Sequence, residues 1–315
     1  MNTRQWDSER ILLTGGAGFL GRFIEAELRT RGANEIHVPR SSVHDLRNPD
    51  VVNGLVAQLS PSMIIHAAAT VGGIGANRTQ PGAYFYDNLI MGANIIEAAR
   101  LSRIEKIGVI GTVCSYPKHT PLPFREESLW DGYPEETNAP YGIAKKALLV
   151  QGQAYRDQYG LNAIHLIPVN LYGPGDNYTP ASSHVIPAII DKCLAANEQG
   201  REEVMLWGTG KATRAFLFIK DAARGIVDAM DRYDGREPLN LGSEEEISIR
   251  DLSSKIAETV GYRGRFIWDD SMPDGQPRRS VSSERARSLL GWSPSTDLDA
   301  GLVETIADRM KARRA

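Results

Sequence analysis

The stretch that most restricts the fold lies near the start of the chain. Ile11-Leu12-Leu13-Thr14, apolar and strand-length, turns through Gly15-Gly16-Ala17-Gly18-Phe19-Leu20-Gly21 into a helix-patterned segment. A strand that passes through closely spaced glycines into a helix predicts the first βα unit of a nucleotide-binding sheet. Glycines let the backbone approach a pyrophosphate, and the free amides that open the helix lend it partial positive charge. A lone turn of this kind is weak, so its weight comes from its position between strand and helix.

The texture of that unit repeats. Apolar, strand-length runs at 11–14, 35–38, 63–66, 106–110 and 163–168 alternate with helical patterns such as 18–30 and 88–101. The alternation predicts βαβ units, and continuous apolar strands predict a parallel sheet covered on both faces. The fold class expected is therefore α/β, a Rossmann-type doubly wound parallel sheet. After residue 170 the chain changes to Gly/Pro-punctuated loops between shorter helical pieces at 186–196, 221–231 and 249–260. We divide it into a dinucleotide-binding domain, 1–170, and a smaller, mixed α/β substrate lobe, 171–315. Strands at about 203–222 and 238–262 are expected to return to the main sheet.

Bulk properties narrow the partners. A chain of 315 residues, 42% of them apolar, can bury a large core. Its net charge of −3, with both signs interspersed, gives no footprint for nucleic acid or an anionic membrane. No apolar run approaches the roughly 20 residues of a bilayer span, and the N-terminus is polar, so a cytoplasmic location is expected. The two cysteines, Cys114 and Cys193, form no disulfide framework or zinc pattern, and no metal site is expected.

At the end of the second strand, where NAD-selective sites place an acid, this chain has Arg40-Ser41-Ser42. A guanidinium can pair with a 2′-phosphate in fork geometry, which points to NADP. Asp45 and Leu46 are placed against the adenine. Gly15, Gly18, Phe19, Leu20 and Gly21 form the rest of the expected phosphate end. Residues after later strands complete the cofactor surface: Ala67, Ala68 and Ala69, then Pro168, Asn170 and Leu171.

A second motif, Tyr141-Gly-Ile-Ala-Lys145, puts phenol and ammonium on one helix face, where the cation can lower the phenol's pKa from its reference near 10. Gly111-Thr112-Val113-Cys114 follows the strand at 106–110 directly, at the carboxyl edge where open α/β sheets bind ligands. Thr112 there offers a hydroxyl to a substrate carbonyl or to the tyrosine oxygen. Together, glycine turn and Tyr/Lys pair indicate nicotinamide-dependent carbonyl chemistry. Of the six histidines, His184 alone sits in a polar loop just before a substrate-lobe helix. His66 is expected to be structural or to touch the cofactor edge, and His119 and His165 to lie on the surface or in packing.

With these residues in view, the chain resembles the extended short-chain dehydrogenase/reductases, and within them the GDP-L-fucose synthase branch. The similarity runs nearly end to end. It is carried by HAAATVGGIGAN (66–77), TVCSYPK (112–118), ETNAPYGIAK (136–145), NLYGPGDNY (170–178), SSHVIPA (182–188), WGTG (207–210) and PDGQPRR (273–279). The resemblance implies that Thr112, Tyr141 and Lys145 match the family's catalytic Ser, Tyr and Lys, and that Cys114 and His184 match its two epimerisation acid-base groups. Protons at C3 and C5 flank a C4 ketone, so an enolate held by Tyr141 and Thr112 permits inversion between a base on one face and an acid on the other. Reference pKa values of about 8.5 and 6.5 suit Cys114 as base and His184 as acid. NADPH would then reduce C4.

For the nucleotide diphosphate sugar, the resemblance points to Asn170, Val185, Lys192, Trp207 and Arg214, with Arg279 near the substrate's far end. It also implies a homodimer, through helices at 88–101 and 141–159. This chain departs from the family at Thr112, Val113, Ser115, Lys192 and Ser282, changes that bear on substrate choice more than reaction class. Two other readings compete. A UDP-sugar 4-epimerase with tightly held NAD would favour an acid at position 40 and need no Cys/His pair. A nonenzymatic dinucleotide-sensing protein would not need Tyr141 and Lys145.

Overall fold

The computed structural model describes residues 4–180, 182–272 and 274–314. The first half contains β1 (Arg10–Thr14), α1 (Phe19–Thr30), β2 (Glu35–His37), α2 (Pro49–Leu59), β3 (Met63–His66), α3 (Ile74–Thr79), α4 (Pro81–Leu101), β4 (Lys106–Ile110), α5 (Ala139–Tyr159) and β5 (Asn162–Pro168). The second contains β6 (Asn170–Tyr172), α6 (Val185–Glu198), β7 (Glu203–Trp207), β8 (Thr213–Phe218), α7 (Ile219–Arg232), β9 (Leu239–Leu241), β10 (Glu246–Ser248), α8 (Ile249–Val260), β11 (Arg265–Asp269), β12 (Arg278–Arg279), α9 (Glu284–Leu290) and α10 (Leu298–Arg314).

Local chemistry sets several of these boundaries. Asn48 caps α2 by accepting from the Asp50 amide at 2.9 Å, with Pro49 at the first helical position. Ser248 caps α8 in the same way, accepting from Asp251 at 3.0 Å. Pro81 opens α4, which therefore starts seven residues before the 88–101 pattern.

Six strands form a parallel sheet in the order β2-β1-β3-β4-β5-β9. The chain moves outward from β1 to β2 and then crosses back to β3, which makes the crevice above β1 and β3 a topological switch point. Alternating side chains sort onto two faces. Ile11, Leu13, Met63, Ile65 and Leu166 pack with α1 and α7, whereas Leu12, Ile64, Ile107 and Val109 pack with α2, α4 and α5. Burial of each such side chain contributes about 1.5–3 kcal/mol. The sheet is thus stiff where its carboxyl edge must hold a site.

The segments expected to return to the main sheet divide. Residues 239–241 do so as β9, at the edge beside β5. The strands within 203–222 do not: β7 pairs with β11, and β8 pairs with β6, β10 and β12. The cause lies just after β5, where β6 turns away and aligns Asn170 with Phe216, so β8 is drawn into a separate sheet. Beneath that sheet a third cluster, including Tyr172, Ile190, Leu206, Phe218, Leu252 and Leu302, joins α6, α8 and α10. No helix among the described residues is long and apolar enough to cross a membrane.

Candidate active site

The carboxyl edge of the main sheet and the second group of sheets enclose a cleft of about 1560 Å³. At one end, Gly15 adopts φ +74° and its carbonyl accepts from Gly18 N at 2.9 Å. A side chain at Gly15 would meet the Ala68 amide nitrogen at 2.5 Å, so the turn can lie flat on Ala67 and Ala68 only without a Cβ. Gly18 caps α1 without a side-chain bond, leaving the first amides of Phe19, Leu20 and Gly21 open toward the cleft. Arg40, Leu46, Ala69, Pro168, Asn170 and Leu171 line the same end. An uncapped helix start, a glycine turn and an exposed guanidinium suit a dinucleotide carrying an extra phosphate.

Asp45 also borders the cleft, but its carboxylate is gripped by Arg47 at 2.8 and 2.9 Å. These bonds lower it to about 2. Arg47 in turn reaches Asp87 at 3.3 Å. His66 is structural: it is buried, pairs with the Thr14 hydroxyl at 2.8 Å, and burial pushes its pKa well down. His165 is packed in the core and His119 is exposed.

In the middle of the cleft, Thr112 ends the extended segment after β4 and caps the short turn Val113–Ser115 by accepting from Cys114 N at 3.2 Å. Its hydroxyl also acts on the Tyr141 phenol. Tyr141 and Lys145 project from the first turns of α5, both buried. The phenol's pKa is raised, first by burial and then by the Cys114 charge, with Thr112 opposing. Lys145 follows Tyr141 by four residues, about 6 Å along the helix axis, and burial lowers the Lys145 pKa to about 8.

Cys114 is half-buried and opens onto the cleft. Arg279, expected at the far end of the substrate, lies with Nη1 3.6 Å from the Cys114 sulfur. Gln276 Oε1 accepts from Arg279 Nε and Nη2, both at 3.2 Å, and so fixes the guanidinium. Arg279 is also the direct β-partner of Arg214. Arg214 donates to the Thr213 carbonyl at 2.7 Å and the Asp274 carbonyl at 3.2 Å. Burial, with the Arg279 charge next, lowers Arg214 to about 9. Two adjacent arginines, held mainly by neutral oxygens, form a local positive field suited to an anionic ligand. Pro273, which opens the PDGQPRR motif, lies outside the described residues.

His184 stands at the cap of α6, reaching the cleft's solvent while crowded by protein, and desolvation lowers its pKa. The start of the helix, with its positive dipole end, disfavours the imidazolium in the same sense. Val185 and Trp207 border the cleft near it, the indole half exposed. Lys192 lines the cleft too and donates to the Met205 carbonyl at 2.8 Å. Asn170 Nδ2 donates to the Ala215 carbonyl at 2.8 Å, tying the end of the main sheet to β8. All the site residues named from the sequence thus border one cavity. The Cys114–Arg279–Gln276 arrangement was missed. Its members were present in two quoted motifs, but 165 positions separate Cys114 from Arg279.

Comparison with known proteins identifies the family. Residues 11–242 match the model of the NAD dependent epimerase/dehydratase family. The chain is 41% identical over 299 residues to GDP-L-fucose synthase of Sinorhizobium fredii, covering 95% of each chain. A GDP-L-fucose synthetase from Naegleria fowleri bound to NADP superposes with a TM-score of 0.89 at 27% identity, covering 98% of this chain and 96% of that one. A GDP-6-OMe-4-keto-L-xylo-heptose reductase from Campylobacter jejuni gives a TM-score of 0.91 at 25% identity, over 99% and 100% of the two chains.

Proposed function

Because this chain belongs to the NAD dependent epimerase/dehydratase family, we propose that its single cleft both inverts and reduces a nucleotide-linked keto sugar. It is an NADP-dependent GDP-sugar epimerase/reductase acting on GDP-4-keto-6-deoxymannose or a close 4-keto analogue. The observation that carries the residue assignments is the opening of Cys114, with Arg279 on its sulfur, into the cavity that holds Tyr141, Lys145 and His184.

Cys114 takes the proton from C3 or C5, with the Arg279 guanidinium as counter-charge for the thiolate. Charge left on the sugar O4 as the enolate forms is met by hydrogen bonds from Tyr141 and Thr112. His184, approaching from the start of α6, returns a proton to the opposite face of the same carbon. Once exchange with water has removed the proton from Cys114 and restored that of His184, repetition at the second carbon completes the epimerisation. Bound NADPH supplies the hydride that reduces C4. Tyr141 gives its proton to O4, and the Lys145 ammonium replaces some of the solvation that burial denies the phenolate.

Gly15, Gly18 and the open amides of α1 would hold the pyrophosphate of the cofactor, and Arg40 would pair with its 2′-phosphate. Arg40 stands where an NAD-dependent 4-epimerase would use an acid, which disfavours that alternative. Arg214 and Lys192 face the substrate diphosphate, and Trp207 offers an apolar plane beside it. The outward surfaces of α4 and α5 expose Phe85, Tyr86, Val150 and Tyr159, the face through which two copies pair. Light scattering of the purified protein checks this homodimer.

Purified protein mixed with NADPH and GDP-4-keto-6-deoxymannose tests the function. Loss of absorbance at the reduced cofactor's band, with a product inverted at C3 and C5, is expected. Cofactor oxidation without inversion would leave a simple ketone reductase.

A further inference from the structure

The segment 71–77, which leads from β3 into α3, lines the cleft and meets the segment that carries His184. Gly73 N donates to the Ser182 carbonyl at 3.1 Å. A Cβ placed on Gly73 would lie 2.6 Å from the carbonyl oxygen of Ser183, the residue just before His184. The obstructing atom is backbone, so an added methyl cannot be absorbed by a rotamer change. One segment or the other has to move.

Both sides of this contact are braced. Asn77 is buried, and its Nδ2 donates to the Gly72 carbonyl at 2.8 Å and the Gly73 carbonyl at 3.1 Å. Across the contact, Ser182 and Ser183 amides donate to the Thr179 carbonyl at 3.0 and 2.8 Å. Asn177 Nδ2 donates to the Ser182 hydroxyl at 2.8 Å. Each loop is therefore internally held, and the glycine contact sets the position of one against the other.

We propose that Gly73 is a positioning residue for His184: its missing side chain lets the Ser183 carbonyl close on the start of α3 and thereby fixes where the imidazole enters the cleft. The inference deepens the function proposed above and rests on it. Tyr141, Thr112, Lys145 and Cys114 are held by β4, its following turn and α5, outside this contact. Displacing Ser183 should therefore weaken the acid on one face of the sugar while leaving the base on the other. Misplacement of a reacting group by about 1 Å costs on the order of 10²-fold in rate.

The test uses Gly73→Ala in D₂O with GDP-4-keto-6-deoxymannose and no NADPH. Deuterium uptake at C3 and C5 and inversion at those carbons are followed together by NMR. When His184 is displaced, Cys114 can still remove a proton and return a deuteron to the same face. Uptake then continues within about threefold of the wild type while inversion falls by about 10- to 100-fold. Parallel loss of both, or no change in either, would overturn the inference. Asn77→Ala loosens the same turn without adding an atom, so it serves should Gly73→Ala fail to fold. It is expected to shift the uptake-to-inversion ratio in the same direction by about threefold or more, and an unchanged ratio counts against the proposal. A wild-type protein that shows neither uptake nor inversion would instead remove the proposed function itself.

Discussion

The Arg279 guanidinium stands 3.6 Å from the sulfur of Cys114, held there by Gln276. Hydrogen bonds to charged groups contribute about 1.5–3 kcal/mol. Arg279→Gln should therefore slow iodoacetamide alkylation of Cys114 at pH 7 by about tenfold or more. Mass spectrometry of the labelled peptide reads this directly. An unchanged rate would mean that the guanidinium does not support the thiolate.

Tyr141 is buried in the cleft wall, where burial raises its pKa and Thr112 opposes the rise. Removing that acid with Tyr141→Phe should lower NADPH oxidation by about 10²- to 10⁴-fold, the usual size of a general acid's contribution. Thermal melting should be nearly unchanged, because ring packing is retained.

Burial lowers Lys145 to about 8. Its ammonium is present below that value and lost above it, so kcat/KM for reduction should fall as pH rises through about 8. Lys145→Met should give a low rate with no corresponding limb. Stopped-flow absorbance between pH 6 and 10 separates the two.

Asp176 is buried, Oδ2 has no partner among the described residues, and burial raises its pKa to about 7. Because the folded-state pKa lies above the unfolded value, the folded protein holds its proton between about pH 4 and 7 while the unfolded chain does not. Stability from this group is therefore fully present at low pH and lost as pH rises through 7. Asp176→Asn should raise the melting temperature by a few degrees at pH 8 and by less at pH 4. Calorimetry at the two pH values checks the sign.

What the sequence displayed was mostly local. The run 11–14, its glycine turn and the Tyr141/Lys145 spacing each depend on neighbours in the chain, and strands β1, β3 and β4 lie within a residue of their expected limits. Longer-range matters were hidden. Arg279 meets Cys114 because a two-residue strand, β12, pairs with β8, and nothing in PDGQPRR announces that pairing. Residues 203–222 carry strand patterns, but patterns do not say which sheet receives a strand. Spacing placed Lys145 on the face of Tyr141, whereas the burial that raises the phenol's pKa and lowers the ammonium's comes from the packed fold.

The most direct measurement takes Cys114→Ser through both halves of the reaction. Wild type in D₂O without NADPH should incorporate deuterium at C3 and C5 of GDP-4-keto-6-deoxymannose, and Cys114→Ser should lose at least about 100-fold of that rate. The variant should still oxidise NADPH with a ketone already inverted at both carbons. Deuterium uptake that survives in Cys114→Ser would contradict the account.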